Sequence, residues 1–116
     1  MSEESVRLET EDTGEVLIIR VLNRRIKYEQ SSDLGDQLKQ AVSMFEGSNV
    51  LLDFGIVEYM TSEALGKLVS LKKAMPADGE LKIVLTNKNI KEVFKITNLD
   101  RIFEVHKTVT KALKKF

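Results

Sequence analysis

Cysteine is absent, so disulfides, thiolate chemistry and cysteine-based zinc sites are excluded together. Histidine occurs once, as His106 near the end of the chain, so no Ser-His-acid set can be assembled and a solvated or helix-start role is expected for it. No Walker loop is present, and no GxGxxG follows a strand-like run, which removes the usual nucleotide-binding signatures. The chain therefore reads as a non-enzyme with no catalytic, metal or cofactor site. Neither sign of charge is in excess: 18 Lys plus Arg balance 18 Asp plus Glu, which argues against nucleic acid or an anionic membrane as a partner. Lys107, Lys111, Lys114 and Lys115 form a terminal basic stripe, whose ordinary role is to oppose a helix dipole. Long hydrophobic runs are missing too. The longest, Val16 to Ile19, falls far short of the roughly 20 residues that span a bilayer. No signal-peptide-like apolar region follows the acidic start MSEES, so a cytoplasmic location is expected.

A single domain over residues 1–116 is expected, since a chain of this length buries about two-thirds of its unfolded surface. Val6 and Leu8 alternate with polar residues, which predicts a half-buried strand over 5–10, and Glu11-Asp12-Thr13-Gly14 reads as the turn of a hairpin. Residues 15–22 are too uniformly apolar for a wet face and predict a central strand. A helix starts at Ser31, capped by Ser31 or Ser32, and carries Leu34, Leu38, Ala41, Val42 and Phe45 on one face until Gly47. Further strands are expected at 49–54 and 81–85, and a short edge strand at 103–105. Helices are expected at about 62–75, ended by Pro76, at 89–97, capped by Asn87 or Asn89, and at 107–115. Such βαβ alternation implies an α/β fold: a mixed, mostly parallel β-sheet with an N-terminal antiparallel hairpin, covered by about four α-helices.

The segment Asn49 to Gly66, NVLLDFGIVEYMTSEALG, is the most informative. The apolar run Val50-Leu51-Leu52 fits a strand covered on both faces, and it stops at Asp53 and Gly55. A helical pattern restarts at Thr61, Ser62 and Glu63, which supply a capping hydroxyl and an acidic first turn, with Leu65, Leu68, Val69 and Met75 following. Two roles fit these hydroxyls. Either residue can cap the helix; equally, free N–H groups and the positive end of the dipole tolerate a phosphate there, which makes Ser62 a candidate switch. Gly66, inside a helix, costs about 1 kcal/mol relative to Ala; close packing of the helix on the sheet or contact with a partner would offset it. Tyr59 and Met60 either fold inward or offer exposed apolar contacts.

This segment resembles the signature of STAS domains, the family of bacterial anti-sigma-factor antagonists, in which a strand ending in Asp leads to Asp-Ser-Ser-Gly-Leu-Gly at a helix start. Thr61, Ser62, Glu63, Ala64, Leu65 and Gly66 stand at those positions, so Thr61 replaces Asp, Glu63 the second Ser and Ala64 the Gly, while Asp53, Leu65 and Gly66 match. The resemblance extends from about Val6 to Leu113. It includes the run Val93 to Phe103, where Thr97 or Asn98 stands at a position commonly Gly. It implies a regulatory module that captures an anti-sigma factor or a GHKL-type serine kinase and lets go when Ser62, or alternatively Thr61, is phosphorylated, with a phosphatase as a further partner. The implied partner-binding residues are Asp53, Tyr59, Met60, Thr61, Ser62, Glu63 and Gly66. Similarity to STAS proteins of stressosome-like or lipid-transport assemblies implies the alternative, a constitutive assembly module without a phosphoswitch. No oligomeric state is implied.

Overall fold

Three runs with few polar side chains, Val16–Val21 (β2), Asn49–Asp53 (β4) and Leu81–Val84 (β6), form the middle of a five-stranded sheet. The structure is a computed structural model that describes residues 5–116; the acidic start Met1–Glu4 lies outside the described residues. Leu8–Asp12 (β1) pairs antiparallel with β2, and Glu104–His106 (β7) pairs parallel with β6, giving the order β1-β2-β4-β6-β7 with every pair but the first parallel. Arg25–Ile26 (β3) and Tyr59–Met60 (β5) make a separate two-stranded parallel ribbon. The expected mixed sheet, antiparallel hairpin and four helices are all present.

From β2 to β4, β6 and β7 the chain steps across the sheet in one direction. The crossovers carry Ser31–Met44 (α1), Ser62–Ala74 (α2) and Lys88–Ile96 (α3). Right-handed crossovers stepping one way place all three helices on one face. Leu34 and Leu38 of α1, Leu65, Leu68 and Leu71 of α2, and Ile90 and Phe94 of α3 accordingly share a core with Leu17, Ile19, Val50, Leu52 and Ile83. On the other face Val16, Ile18, Leu51 and Val84 pack with Ala112 of the short last helix, Val109–Leu113 (α4), flanked by Val109, Leu113 and Phe116. Alternate residues of β4 thus enter different cores, which is why Val50, Leu51 and Leu52 are all apolar and all fully buried.

Several boundaries differ from expectation. The first strand runs to Asp12 because the turn lies later: the Thr13 hydroxyl accepts from Val16 N and donates to Val16 O, and Gly14 takes the positive φ of 93°. Ser5–Arg7 is instead tied down by side chains: Asp33 Oδ2 accepts from Val6 N and Asn23 Oδ1 from Arg7 N, each at 2.7 Å. Neither Ser31 nor Ser32 caps α1. A 3-10 turn, Tyr28–Gln30, leads into it, Gln30 is the cap residue with its Oε1 accepting from Lys27 N, and the buried Ser31 donates back to Lys27 O. Phe45 lies just past the end of α1 in extended backbone. Asn87, not Asn89, caps α3, accepting from Asn89 N and Ile90 N. Asn98 adopts φ 63°, ψ 19°, the left-handed conformation that a helix end demands and that Asn tolerates better than other non-glycine residues.

His106 is neither solvated nor at a helix start. It lies on β7, its side chain 12% exposed, with Nε2 2.6 Å from Glu104 Oε2. Beside it Lys82, a buried cation within β6, reaches Glu104 at 2.7 Å and Glu80 at 2.9 Å, and lies 4.9 Å from the centre of the Phe116 ring. Burial alone would lower the Lys82 pKa, but hydrogen bonds to the two carboxylates outweigh it and raise the value. The bond from Lys82 likewise pulls Glu104 below its ordinary 4.5. A carboxylate whose folded-state pKa is depressed contributes stability that is present above its unfolded value and lost as pH falls through the lower, folded one. Urea titrations at a series of pH values should show wild-type stability falling below about pH 4.5, and Glu104→Gln should flatten that limb while lowering stability at pH 7.

Candidate functional site

Parallel strands bring their carboxyl ends to one edge of the sheet, and the loops that follow them gather there. At the end of β4, Asp53 Oδ1 accepts from Gly55 N at 2.9 Å, and Oδ2 accepts from Arg20 Nε at 3.1 Å. The Gly55 carbonyl accepts from the Thr86 hydroxyl in the β6–α3 connection. Phe54 and Val57 anchor this loop in the core, leaving Ile56 between them 46% exposed. The chain then zips onto the β2–α1 loop. Glu58 N and Tyr59 N donate to Arg24 O at 2.7 and 3.3 Å, β5 pairs with β3, and Thr61 N donates to Ile26 O at 3.2 Å. Arg24 pairs with Glu58 at 3.0 Å, and the Arg25 guanidinium sits 4.7 Å above the Tyr59 ring centre.

This ribbon delivers the chain to the start of α2. Thr61 is the N-cap, in extended backbone, and its Oγ1 accepts from Ala64 N at 3.2 Å. The same hydroxyl shares a 3.3 Å hydrogen bond with Ser31, joining the starts of α1 and α2. Ser62 is the first helical residue and is exposed; among the described residues its hydroxyl meets only Glu63 Oε1, at 3.5 Å. Between the two hydroxyls the capping role therefore belongs to Thr61.

A model of the STAS domain family matches residues 7–112. The chain belongs to the STAS domain family. A Thermotoga neapolitana relative, named as an anti-sigma factor antagonist and TM1081 homolog, is 34% identical over 67 residues, 57% of this chain and 59% of the relative, so the match spans less than two-thirds of that protein. The crystal structure of an anti-sigma factor antagonist from Mycobacterium paratuberculosis superposes with a TM-score of 0.87 at 20% identity, covering 97% of this chain and 94% of that one. The anti-sigma factor antagonist SpoIIAA in its unphosphorylated form superposes with a TM-score of 0.76 at 16% identity, over 95% and 94% of the two chains. At such identities the two structures establish the fold alone.

In this STAS domain, Tyr59, Thr61, Ser62 and Glu63 come together at the start of α2, with Tyr59 42% exposed. Met60 is half-buried and packs on the main core. Asp53 stands apart: its side chain is 14% exposed and held by Arg20 on the α4 face of the sheet, below the loop rather than beside Ser62. Gly66 overturns the close-packing expectation, because it is exposed and an added Cβ would meet nothing within 4 Å. The close approach falls instead at Gly35 of α1, where a Cβ would lie 2.8 Å from Lys67 Cδ. Sequence reasoning missed Arg24, Arg25 and Tyr28 of the β2–α1 loop, the last 66% exposed; a two-residue strand carries no periodicity, and its pairing is wholly tertiary. Clefts of about 630 and 390 Å³ open elsewhere, the first beside Val16 and Asn49 and the second beside Leu81 and Glu104, at the amino ends of the strands. Among the described residues no acidic or histidine cluster could hold a metal, and no helix is long and apolar enough to cross a membrane.

Three substitutions separate these roles in urea denaturation followed by circular dichroism. Thr61→Ala should lower stability by about 1 kcal/mol through loss of the cap. Ser62→Ala should change it by no more than about 0.5 kcal/mol. Gly66→Ala should raise it, by up to about 1 kcal/mol, because nothing obstructs the added methyl.

Proposed function

We propose that this STAS domain is a non-enzymatic regulatory module that captures an anti-sigma factor or a GHKL-type serine kinase, and that phosphorylation of Ser62 ends the capture. The observation that carries this reading is the division of labour at the start of α2: the Thr61 hydroxyl is committed to the cap, while among the described residues the exposed Ser62 hydroxyl bonds only the Glu63 carboxylate and no backbone group. A kinase can reach Ser62 without unmaking the helix end. Phosphate there gains from the dipole, yet adds about −1.5 to −2 charge to a surface that already holds Glu63, so a partner seated on it is repelled. Tyr59, Met60, Thr61, Glu63 and Gly66 make up the rest of the capture surface, and Asp53 supports it from below. Exposed Gly66 fits this assignment: it weakens the helix without relieving any internal contact, which favours an outside partner that needs a bare backbone there. The names of the relatives point the same way, since both anti-sigma factor antagonism and an unphosphorylated form are stated of them. In this reading residues 1–116 act as one domain in the cytoplasm, and a phosphatase resets the switch.

A second reading rests on Glu63, whose carboxylate lies 3.5 Å from the Ser62 hydroxyl and supplies a permanent negative charge at the helix start. It makes the protein a constitutive assembly module of a stressosome-like or lipid-transport complex. Incubation with ATP and a GHKL-type serine kinase that binds the protein, followed by mass spectrometry, separates the two. The switch reading expects phosphate on Ser62, none on Ser62→Ala, and partner binding by the unmodified Ser62→Ala protein. Gly66→Ala and Tyr59→Ala should each weaken binding by about tenfold, the scale of a modest interface hot spot. Phosphate on Thr61, or binding indifferent to phosphorylation, would decide against it.

A further inference from the structure

Arg20 was not singled out by its sequence, and it lies on the α4 face of the sheet, remote in the chain from the Ser62 loop. Its Cα partner across the β2–β4 ladder is Asp53, the last residue of β4. The guanidinium spends Nε on Asp53 Oδ2 at 3.1 Å and NH1 on Glu9 Oε1 at 3.1 Å, and both carboxylates raise its pKa. With Oδ2 so held, Asp53 turns Oδ1 onto the N–H of Gly55 at 2.9 Å, and the carbonyl of that same residue is held by Thr86. The fit is tight enough that a Cβ at position 55 would lie 3.0 Å from Asp53 Oδ1.

We infer that Arg20 is a positioning residue for the loop Phe54–Thr61: by fixing the rotamer of Asp53 on the α4 face of the sheet, the face away from the helix that carries Ser62, it sets where the loop leaves β4 and hence how Tyr59 and Ser62 are presented. Without the guanidinium, Asp53 loses the partner that aims one oxygen at Gly55. Glu9 serves only as the second anchor of Arg20 and touches neither Asp53 nor Gly55. The functional consequence rests on the reading of Ser62 as the acceptor; the positioning itself does not.

Amide hydrogen exchange on the isolated protein tests the positioning. In Arg20→Gln the amides of Gly55, Val57, Glu58, Tyr59 and Thr61 should exchange about tenfold faster, the factor carried by loss of one charge-assisted hydrogen bond, while those of Val50, Leu51 and Leu52 stay as in the wild type. Arg20→Lys, which keeps the charge, should recover part of the protection, and Glu9→Gln most of it. Unchanged loop exchange in Arg20→Gln, or a rise spread equally over β2 and β4, would overturn the inference. In a phosphorylation assay the same variant should raise the KM of the kinase for the protein several-fold with little change in kcat. An unchanged KM with a loosened loop would sink the functional consequence alone. Failure of the wild type to accept phosphate on Ser62 would instead count against the proposed switch, with the exchange result still deciding the role of Arg20.

Discussion

Burial of β4 on both sides is the constraint on which the rest of this molecule depends. Val50, Leu51 and Leu52 have no exposed surface, and each such burial is worth about 1.5–3 kcal/mol. A strand of this kind requires cover above and below. The one-directional crossovers supply three helices on one face, and the other is left to a helix of only five residues, Val109–Leu113, with Phe116 extending its reach to Lys82. Exposed ion pairs such as Arg24–Glu58, at about 0.2–1 kcal/mol, do not compete with that term. They act on where loops lie more than on whether the domain folds.

The same constraint locates the edge that carries the candidate site. The apolar run of β4 ends at Asp53, its carboxylate divided between Arg20 and Gly55. From there the chain alternates anchors and displayed residues. Phe54 and Val57 go in, Ile56 and Tyr59 stay partly out, and the short β3–β5 ribbon fixes the remainder against the β2–α1 loop. The helix start is thereby held twice, by Thr61 N on Ile26 and by the Thr61 hydroxyl shared with Ser31. In the proposed switch, a change of charge at the exposed Ser62 hydroxyl would alter binding without unmaking this anchored helix start.

The long elements were legible because their patterns are local. Uniform apolarity marked β2, β4 and β6, and helical spacing marked α1 and α2 to within a few residues. What misled was also local. Ser31 and Ser32 look like caps in isolation, but a preceding 3-10 turn moved the cap to Gln30 and turned Ser31 inward. Gly66 looks like a close-packing glycine, yet it faces open space, while Gly35, with the same local credentials, is the one crowded by Lys67.

Hydrophobic period, the order of strands and helices, and the hydroxyls at the start of α2 belong to the sequence by itself, since each depends on residues within one or two turns of one another. The identity of the capping hydroxyl, the β3–β5 pairing, the burial of Lys82 between Glu80, Glu104 and Phe116, and the path from Arg20 through Asp53 to Gly55 were decided only by the tertiary structure. The decisive links among these, Arg20 to Asp53, Lys82 to Glu104 and Phe116, and Arg25–Ile26 to Tyr59–Met60, join groups far apart in the chain. Their meeting depends on which strands become neighbours in the sheet, and no local propensity encodes that.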